Sequence, residues 1–233
     1  MPSVPILMYH NIGVPSSGDR KPKLYVQPIT FSRQMALIRL LGFRGISMRE
    51  AMPYLRGDLQ GKVVAITFDD GYADNIDLAL PILRHYGHTA TCYVVSQSIG
   101  LHNTWDSDAI HSHKPLMSKK QLEHWCATGM EVGAHTQTHP RLPSCNKASL
   151  VQEVAGSKAD LENLLQMPVN QFCYPYGNLD ERVVQAVRAA GYEAATTTNP
   201  GVANNEDDFH LLPREKMTGY SHLFRALFPS LAR

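Results

Sequence analysis

"KVVAITFDDGYADN", residues 62–75, is the stretch on which the reading of this chain turns. Its first part is short, continuously apolar and rich in β-branched residues, the pattern of a strand buried on both faces. It stops at Asp69 and Asp70, with Gly71 straight after. Adjacent carboxylates repel, and a buried one is expensive unless something pairs with it. A solvated turn accommodates them, since loop tips favour Asp and Gly. A metal or a catalytic role would also account for them. Neighbouring residues leave an extended chain in opposite directions, so Gly71 would have to let the backbone turn for both to face one site.

Outward from that strand, apolar runs alternate with helical patterns. "VPILMY" (4–9), "TATCYVV" (89–95), "MEVGAH" (130–135), "QFCYPYG" (171–177), "EAATTT" (193–198) and "FHLLPR" (209–214) read as further strands. Helices are predicted over 30–42, with Thr30 as N-cap and Gly42 as stop, and over 81–87, 118–129, 146–166, 179–191 and 220–228. Ser47 with Glu50, and Ser118 with Gln121, have capping-box spacing. Residues 98–115 read as a long loop. The alternation implies a mainly parallel sheet with helical crossovers, in a single α/β domain over residues 1–233. Six or seven such strands could close into a barrel. Ligands of parallel α/β folds meet the C-terminal ends of the strands. Tyr9-His10, Asp69-Asp70, His135, Tyr174-Pro175-Tyr176-Gly177 and Arg214 all end predicted strands, which places them on one face.

The bulk composition removes some function classes. Hydrophobic residues make up 43%, charged residues 18%, and the formal net charge is +1. No basic stripe or acidic tail points to nucleic acid. No apolar run approaches the ~18 residues of a transmembrane segment. The N-terminus lacks a basic segment followed by a long apolar one, so the sequence reads as cytoplasmic; an exported protein trimmed of its leader would read the same. No pattern sets an oligomeric state. The four cysteines form no C-x-x-C pair and read as reduced thiols.

"HTQTHP" (135–140) supplies a second motif. A spacing of four would put His135 and His139 on one side of a helical turn. Two imidazoles, one carboxylate and an open position describe a catalytic zinc site or a related divalent site. Alone, the pair reads as two surface histidines in a polar loop. Read with Asp69-Asp70, one Asp completes the ligand set and the other acts as general base beside the metal.

The set "TFDDG" (67–71), "HTQTH" (135–139) and "YPYG" (174–177), opening with "PILMYH" (5–10), resembles the polysaccharide deacetylases with a NodB homology domain, carbohydrate esterase family 4. Within them it is similar to the poly-N-acetylglucosamine deacetylase branch. The resemblance runs from Pro5 to about Arg214. It implies a distorted (β/α)7 barrel with Asp69 as general base and Asp70, His135 and His139 as ligands of a divalent metal. Zinc is the first choice, with cobalt or nickel as alternatives. It also implies that the backbone N–H of Tyr176 helps form an oxyanion hole. The reaction would release acetate from an N-acetylhexosamine of a glycan or glycoconjugate. A hydrolase of a non-glycan amide or ester, or a non-catalytic carbohydrate-binding relic, are the rival readings.

Two positions depart from the family pattern. Cys173 stands where members often carry an arginine that orients the catalytic Asp. Arg214 in "LLPRE" is therefore expected to pair with Asp69, lowering its pKa. The late L-x-H motif that often supplies the general acid is missing. His10, ending the first strand, is expected in that role, with His210 as the alternative. Trp105, His102, His111 and His113 read as an ordinary surface loop, with stacking on a sugar as the alternative for Trp105. His85, His88, His124 and His222 read as structural or solvated.

Overall fold

The structure is a computed structural model that describes residues 3–15, 21–105 and 113–218, together with positions 223 and 227. Eight strands form its main sheet, and all their pairings are parallel. They are β1 (Ile6–Tyr9), β2 (Arg44–Ile46), β3 (Val63–Phe68), β4 (Thr91–Val94), β5 (Glu131–Ala134), β6 (Gln171–Cys173), β7 (Ala194–Thr196) and β8 (Glu215–Lys216). Their order is β7-β6-β5-β4-β3-β1-β8. β2 pairs with the first half of β3 (Arg44 opposite Val63), while β4 pairs with its end (Phe68 opposite Cys92). Helices alternate with the strands and cover the outside of the sheet, the architecture that the alternating patterns imply.

The two ends of the sheet meet at a seam. Leu212 forms a parallel bridge with Thr196, and the amide of Thr197 donates to the Leu212 carbonyl at 2.9 Å. Further along, the amide of Arg214 donates to the Asn199 carbonyl at 2.8 Å and that of Met217 to Met8 at 2.9 Å. The fold is thus an irregular, partly open barrel bridged by residues 212–217. The strand predicted over 209–214 does not form. Pro213 has no N–H to give to a ladder. The turn before it is fixed by Asp208, whose carboxylate accepts from the His210 amide and whose carbonyl accepts from Leu211. The strand begins later, at Glu215, so Arg214 precedes a strand instead of ending one.

The side-chain alternation of β3 sorts the core into two layers. Val64, Ile66 and Phe68 pack outward with Tyr9, Phe31 and Trp125 under the helices. Val63 and Ala65 point inward with Ile6, Tyr93, Cys173 and Leu212, forming the floor of the barrel. The same period carries on to Thr67 and then Asp69, so the first carboxylate is aimed into the barrel above an apolar plug.

Several local readings need adjustment. Helix α1 (Pro28–Leu40) begins two residues ahead of Thr30. Pro28 occupies its first turn, where the missing N–H costs nothing, and Gln27 is the capping position. Both capping boxes form, at Ser47/Glu50 and Ser118/Gln121. The helix predicted over 146–166 is interrupted by a π-helical turn, Gln152–Gly156, between Lys147–Val151 and Ser157–Leu165. A second π turn, Asn75–Ala79, precedes the helix Leu80–Tyr86. Of the helix predicted over 220–228, only Leu223 and Leu227 are described; both are helical and buried. The remainder, with His222, lies outside the described residues, as do residues 106–112 of the predicted loop, His111 among them. No helix among the described residues is long and apolar enough to cross a membrane.

Candidate active site

Asp69 is fixed by Arg214. One guanidinium nitrogen donates to Asp69 Oδ1 at 2.7 Å and the other to Oδ2 at 2.8 Å, a bidentate pair. The remaining donors are also placed: Nε on the Thr197 carbonyl at 2.8 Å, Nη1 on Thr67 Oγ1 at 3.0 Å and Nη2 on Cys173 Sγ at 3.1 Å. An arginine has five N–H donors, and each has an acceptor here. Arg214 is fully buried and Asp69 is nearly so. Burial pushes the Asp69 carboxyl up, but the charge and hydrogen bonds of Arg214 outweigh it, and the pKa lies below the ordinary value. Cys173 does not replace an arginine functionally. It accepts a hydrogen bond from one that reaches the same carboxylate from the seam.

Asp70 turns the other way. Its φ is +76°, followed by Gly71 at +78°. Left-handed backbone at both positions swings the second carboxylate back toward the face that the first already occupies. Its Oδ1 lies 3.4 Å from His135 Nε2 and 3.3 Å from His139 Nε2. The two histidines are not on a helical turn. Residues 135–139 form an irregular loop after β5, with Thr136 at φ +68° and His139 at +64°. Thr136 Oγ1 donates to the His135 carbonyl at 2.5 Å and accepts from the His139 amide at 3.0 Å, closing the loop on itself. Glu153, from the π turn, accepts from the amides of Gln137 and Thr138 at 2.9 Å each and from Thr138 Oγ1 at 2.5 Å. Non-glycine residues with positive φ cost free energy and gather at functional sites. Of the five among the described residues, Asp70, His139 and Tyr176 line one cavity, and Thr136 lies in the loop that carries both histidines.

The donor chemistry fits a divalent cation. The ligand atoms of Asp70, His135 and His139 lie within 4.8 Å of one another and all three residues are buried. His135 Nδ1 is 2.7 Å from the Cys173 carbonyl, which makes it the protonated nitrogen and leaves Nε2 as a lone-pair donor toward Asp70. Asp69, His135 and Cys173 form a second cluster of the same size. Asp69 is already engaged by Arg214, so the first set is the better ligand set.

A cavity of about 820 Å³ opens over these groups and is lined by His10, Asp69, Asp70, His135, His139 and Tyr176, among others. His10 Nε2 lies 3.9 Å from Asp69 Oδ2. Its backbone carbonyl accepts from the Asn75 side-chain amide, in the π turn Asn75–Ala79, at 2.8 Å. Burial pushes the His10 pKa down, against the pull of Asp69 and Asp70 and with the help of Arg214 and Lys216. Tyr176, at φ +59° in the turn Pro175–Gly177, stands at the rim with its ring edge-on to His139 at 4.5 Å. His210 is not among the lining residues; its Nε2 lies 2.9 Å from the Tyr192 carbonyl. The sequence favours an ordinary loop residue at Trp105, with stacking on a sugar as the alternative. Trp105 stacks on His139, with ring centroids 4.6 Å apart, and lines the cavity. Lys21, Lys23, Thr198 and Lys216 also line it without having been singled out. Apart from one aromatic in a loop that follows a site strand, none carried a signal in one dimension.

Residues 56–195 match the family model described as polysaccharide deacetylase. The chain is 31% identical over 217 residues to the Bacillus subtilis (strain 168) protein YxkH, covering 92% of this chain and 71% of that one. It is 26% identical over 209 residues to a poly-beta-1,6-N-acetyl-D-glucosamine N-deacetylase of Staphylococcus epidermidis, covering 85% and 70%. Its fold superimposes on that of the Streptococcus pyogenes deacetylase PplD, solved in complex with acetate, with a TM-score of 0.84 and 28% identity over 97% of this chain and 96% of that one. The parallel half-barrel is therefore of the NodB type. With the fold, the motifs and these similarities agreeing over most of its length, the chain belongs to the polysaccharide deacetylase family.

Proposed function

We propose that this protein is a metal-dependent deacetylase that hydrolyses the N-acetyl group of an N-acetylhexosamine within a glycan or glycoconjugate. One observation carries the reading. A carboxylate clamped by an arginine and a His-His-Asp ligand set face the same 820 Å³ cavity, and their two carboxylates are adjacent residues at one strand end. The similarity to a poly-beta-1,6-N-acetyl-D-glucosamine N-deacetylase supports an N-acetylated glycan as the substrate class.

The residues divide the work as follows. Asp70, His135 and His139 would hold the cation, with zinc ahead of cobalt or nickel on the nitrogen-rich donor set. When bound, such a cation polarises a carbonyl and lowers the pKa of water to about 7. Asp69, kept ionised by Arg214, accepts the proton of the attacking water as its oxygen bonds to the acetyl carbon. The backbone N–H of Tyr176 donates to the oxyanion, a contact of the kind whose loss typically costs about 2.7–4 kcal/mol. His10 protonates the amine as the C–N bond breaks, and acetate leaves. The 3.9 Å between His10 and Asp69 supports passage of a proton between them.

The test is acetate release from N-acetylglucosamine oligomers by protein loaded with zinc, cobalt or nickel, and again after chelation. Turnover that survives complete metal removal would exclude the reading. Protein that binds the oligomers but neither holds metal nor releases acetate would be the carbohydrate-binding relic. A panel of other amides and esters separates a glycan deacetylase from a hydrolase of different specificity.

A further inference from the structure

Residues 101–103 and 114–117 pair as the two arms of a short ribbon. The Leu116 amide donates to the Leu101 carbonyl at 2.9 Å, the Asn103 amide to the Lys114 carbonyl at 3.1 Å, and His102 bridges Pro115. Asn103 is buried, and its Oδ1 accepts from the Lys114 amide at 2.7 Å. The second arm is pinned to the turn that follows Asp69 and Asp70. The Ala73 amide donates to the Pro115 carbonyl at 3.0 Å, the Met117 amide to the Gly71 carbonyl at 2.9 Å, and Leu116 bridges Tyr72. The base of the ribbon is therefore fixed relative to Asp70. Trp105 stands two residues beyond Asn103.

The indole of Trp105 lies flat on the His139 imidazole, with ring centroids 4.6 Å and planes 26° apart. Tyr176 meets the same imidazole edge-on, with centroids 4.5 Å apart and planes at 72°. The Arg141 guanidinium covers the Tyr176 ring at 4.7 Å and donates to Asn178 Oδ1 at 2.7 Å, which steadies that ring in turn. The His139 backbone is set separately, by its amide on Thr136 Oγ1. The two ligand histidines are thus oriented by different means. His135 is turned by its Nδ1 on the Cys173 carbonyl, and His139 is packed against rings. The torsion that tilts an imidazole is broad and fixes no plane by itself. A tilt of a few tens of degrees would turn the Nε2 lone pair of His139 away from Asp70, whose Oδ1 lies 3.3 Å from it. An indole flat on the ring blocks that tilt, because a tilted imidazole would run into its face.

We infer that Trp105 is a positioning residue of the cation site: its indole face fixes the plane of the His139 imidazole and so sets the affinity with which Asp70, His135 and His139 hold the cation. This rests on the cation-binding half of the deacetylase reading and is independent of acetate release.

The experiment measures zinc and cobalt affinity by competition against a chelator for the wild type, Trp105→Phe and Trp105→Leu, with the Tm of each alongside. Phenylalanine keeps a flat ring to lay on the imidazole, and leucine keeps only apolar bulk. Trp105→Leu should bind each cation about fivefold more weakly, and Trp105→Phe should stay within about twofold of the wild type. A residue that only filled space in its loop would be replaced as well by leucine as by phenylalanine. Tryptophan emission gives a second readout. The chain has two tryptophans, Trp105 and Trp125. Trp125 is buried in the outer layer, with its indole N–H on the Glu131 carbonyl at 2.9 Å. One equivalent of cobalt should quench the wild-type emission, and most of that quench should be absent from Trp105→Phe. If Trp105→Leu does not fold, the quench comparison decides. Wild-type affinity in Trp105→Leu, or an equal quench in Trp105→Phe, would overturn the positioning role and leave the deacetylase standing. A wild type that holds neither cation would overturn both.

Discussion

Arg214 reaches Asp69 across 145 positions of sequence and grips both carboxylate oxygens, at 2.7 and 2.8 Å. Both partners are buried. Removing one member of such a pair typically costs about 3–5 kcal/mol, because the other is left uncompensated. Arg214→Met should therefore lower thermal stability and raise the Asp69 pKa. The sign follows from the depressed carboxyl. Its contribution to stability is present above the ordinary carboxylate pKa and is lost as pH falls below it. In the variant, the acid limb of kcat/KM should move to higher pH and the acid-dependent part of stability should weaken. An unmoved acid limb would show that Arg214 does not set the charge of Asp69.

Asp69→Asn should abolish acetate release while metal binding stays intact, because Asp69 is outside the preferred ligand set. Asp70→Asn and His139→Ala should lose the metal and the activity together. Metal content by elemental analysis separates the two classes. Asp69→Asn protein that purifies without metal would assign Asp69 to the ligand set instead.

Glu153 holds the histidine loop through the amides of Gln137 and Thr138 and the hydroxyl of Thr138. It touches neither the ligand atoms nor the substrate-facing wall. Glu153→Gln keeps the shape but removes the charge, and should weaken metal affinity about tenfold, as supporting partners of ligands do. Competition against a chelator measures this, and unchanged circular dichroism would separate the loop effect from unfolding.

Lys216 contributes to the low pKa of His10, behind burial. Lys216→Gln should let the His10 pKa rise. With His10 as the proton donor, the alkaline limb of kcat/KM should move to higher pH, and with His10 as a base the acid limb should move up instead. A profile with neither shift would remove His10 from proton transfer.

The turn that carries Tyr176 tolerates little. Gly177 has φ +68°, and a Cβ there would sit 1.9 Å from Thr198 Oγ1 and 2.9 Å from its Cβ. Gly177→Ala should cost about 1–3 kcal/mol of stability, from the backbone conformation and the clash together. It should also lower kcat more than it raises KM. Gly177→Ala with Thr198→Ala should recover part of both losses, as coupled neighbours do. No recovery would mean that backbone strain alone is responsible.

Much of this site was legible in one dimension because it is built from local motifs. Each of Asp69-Asp70, His135/His139 and Tyr176 follows a short apolar run, and parallel topology sends such strand ends to one face. The helix boundaries were less legible, since Pro28 displaced the cap from Thr30 and two π turns interrupt otherwise regular patterns. The two readings of Trp105 stayed open because a loop residue has no periodicity that reports its direction. The rim lysines were invisible for the same reason, as charge clustering is a property of folded distance.

The sequence by itself determined the parallel α/β class, the motif set and the pairing of Asp69-Asp70 with His135 and His139, because strand periodicity and short spacings are local. The pairing of Arg214 with Asp69 was an expectation of the sequence; only the tertiary structure supplied its bidentate geometry and the backbone turn that brings both carboxylates to one cavity. The seam that brings Arg214 home joins strands at opposite ends of the sheet. The turn that sends Asp70 back to the site has left-handed backbone, held by a distant segment through the Met117 amide, which donates to the Gly71 carbonyl at 2.9 Å.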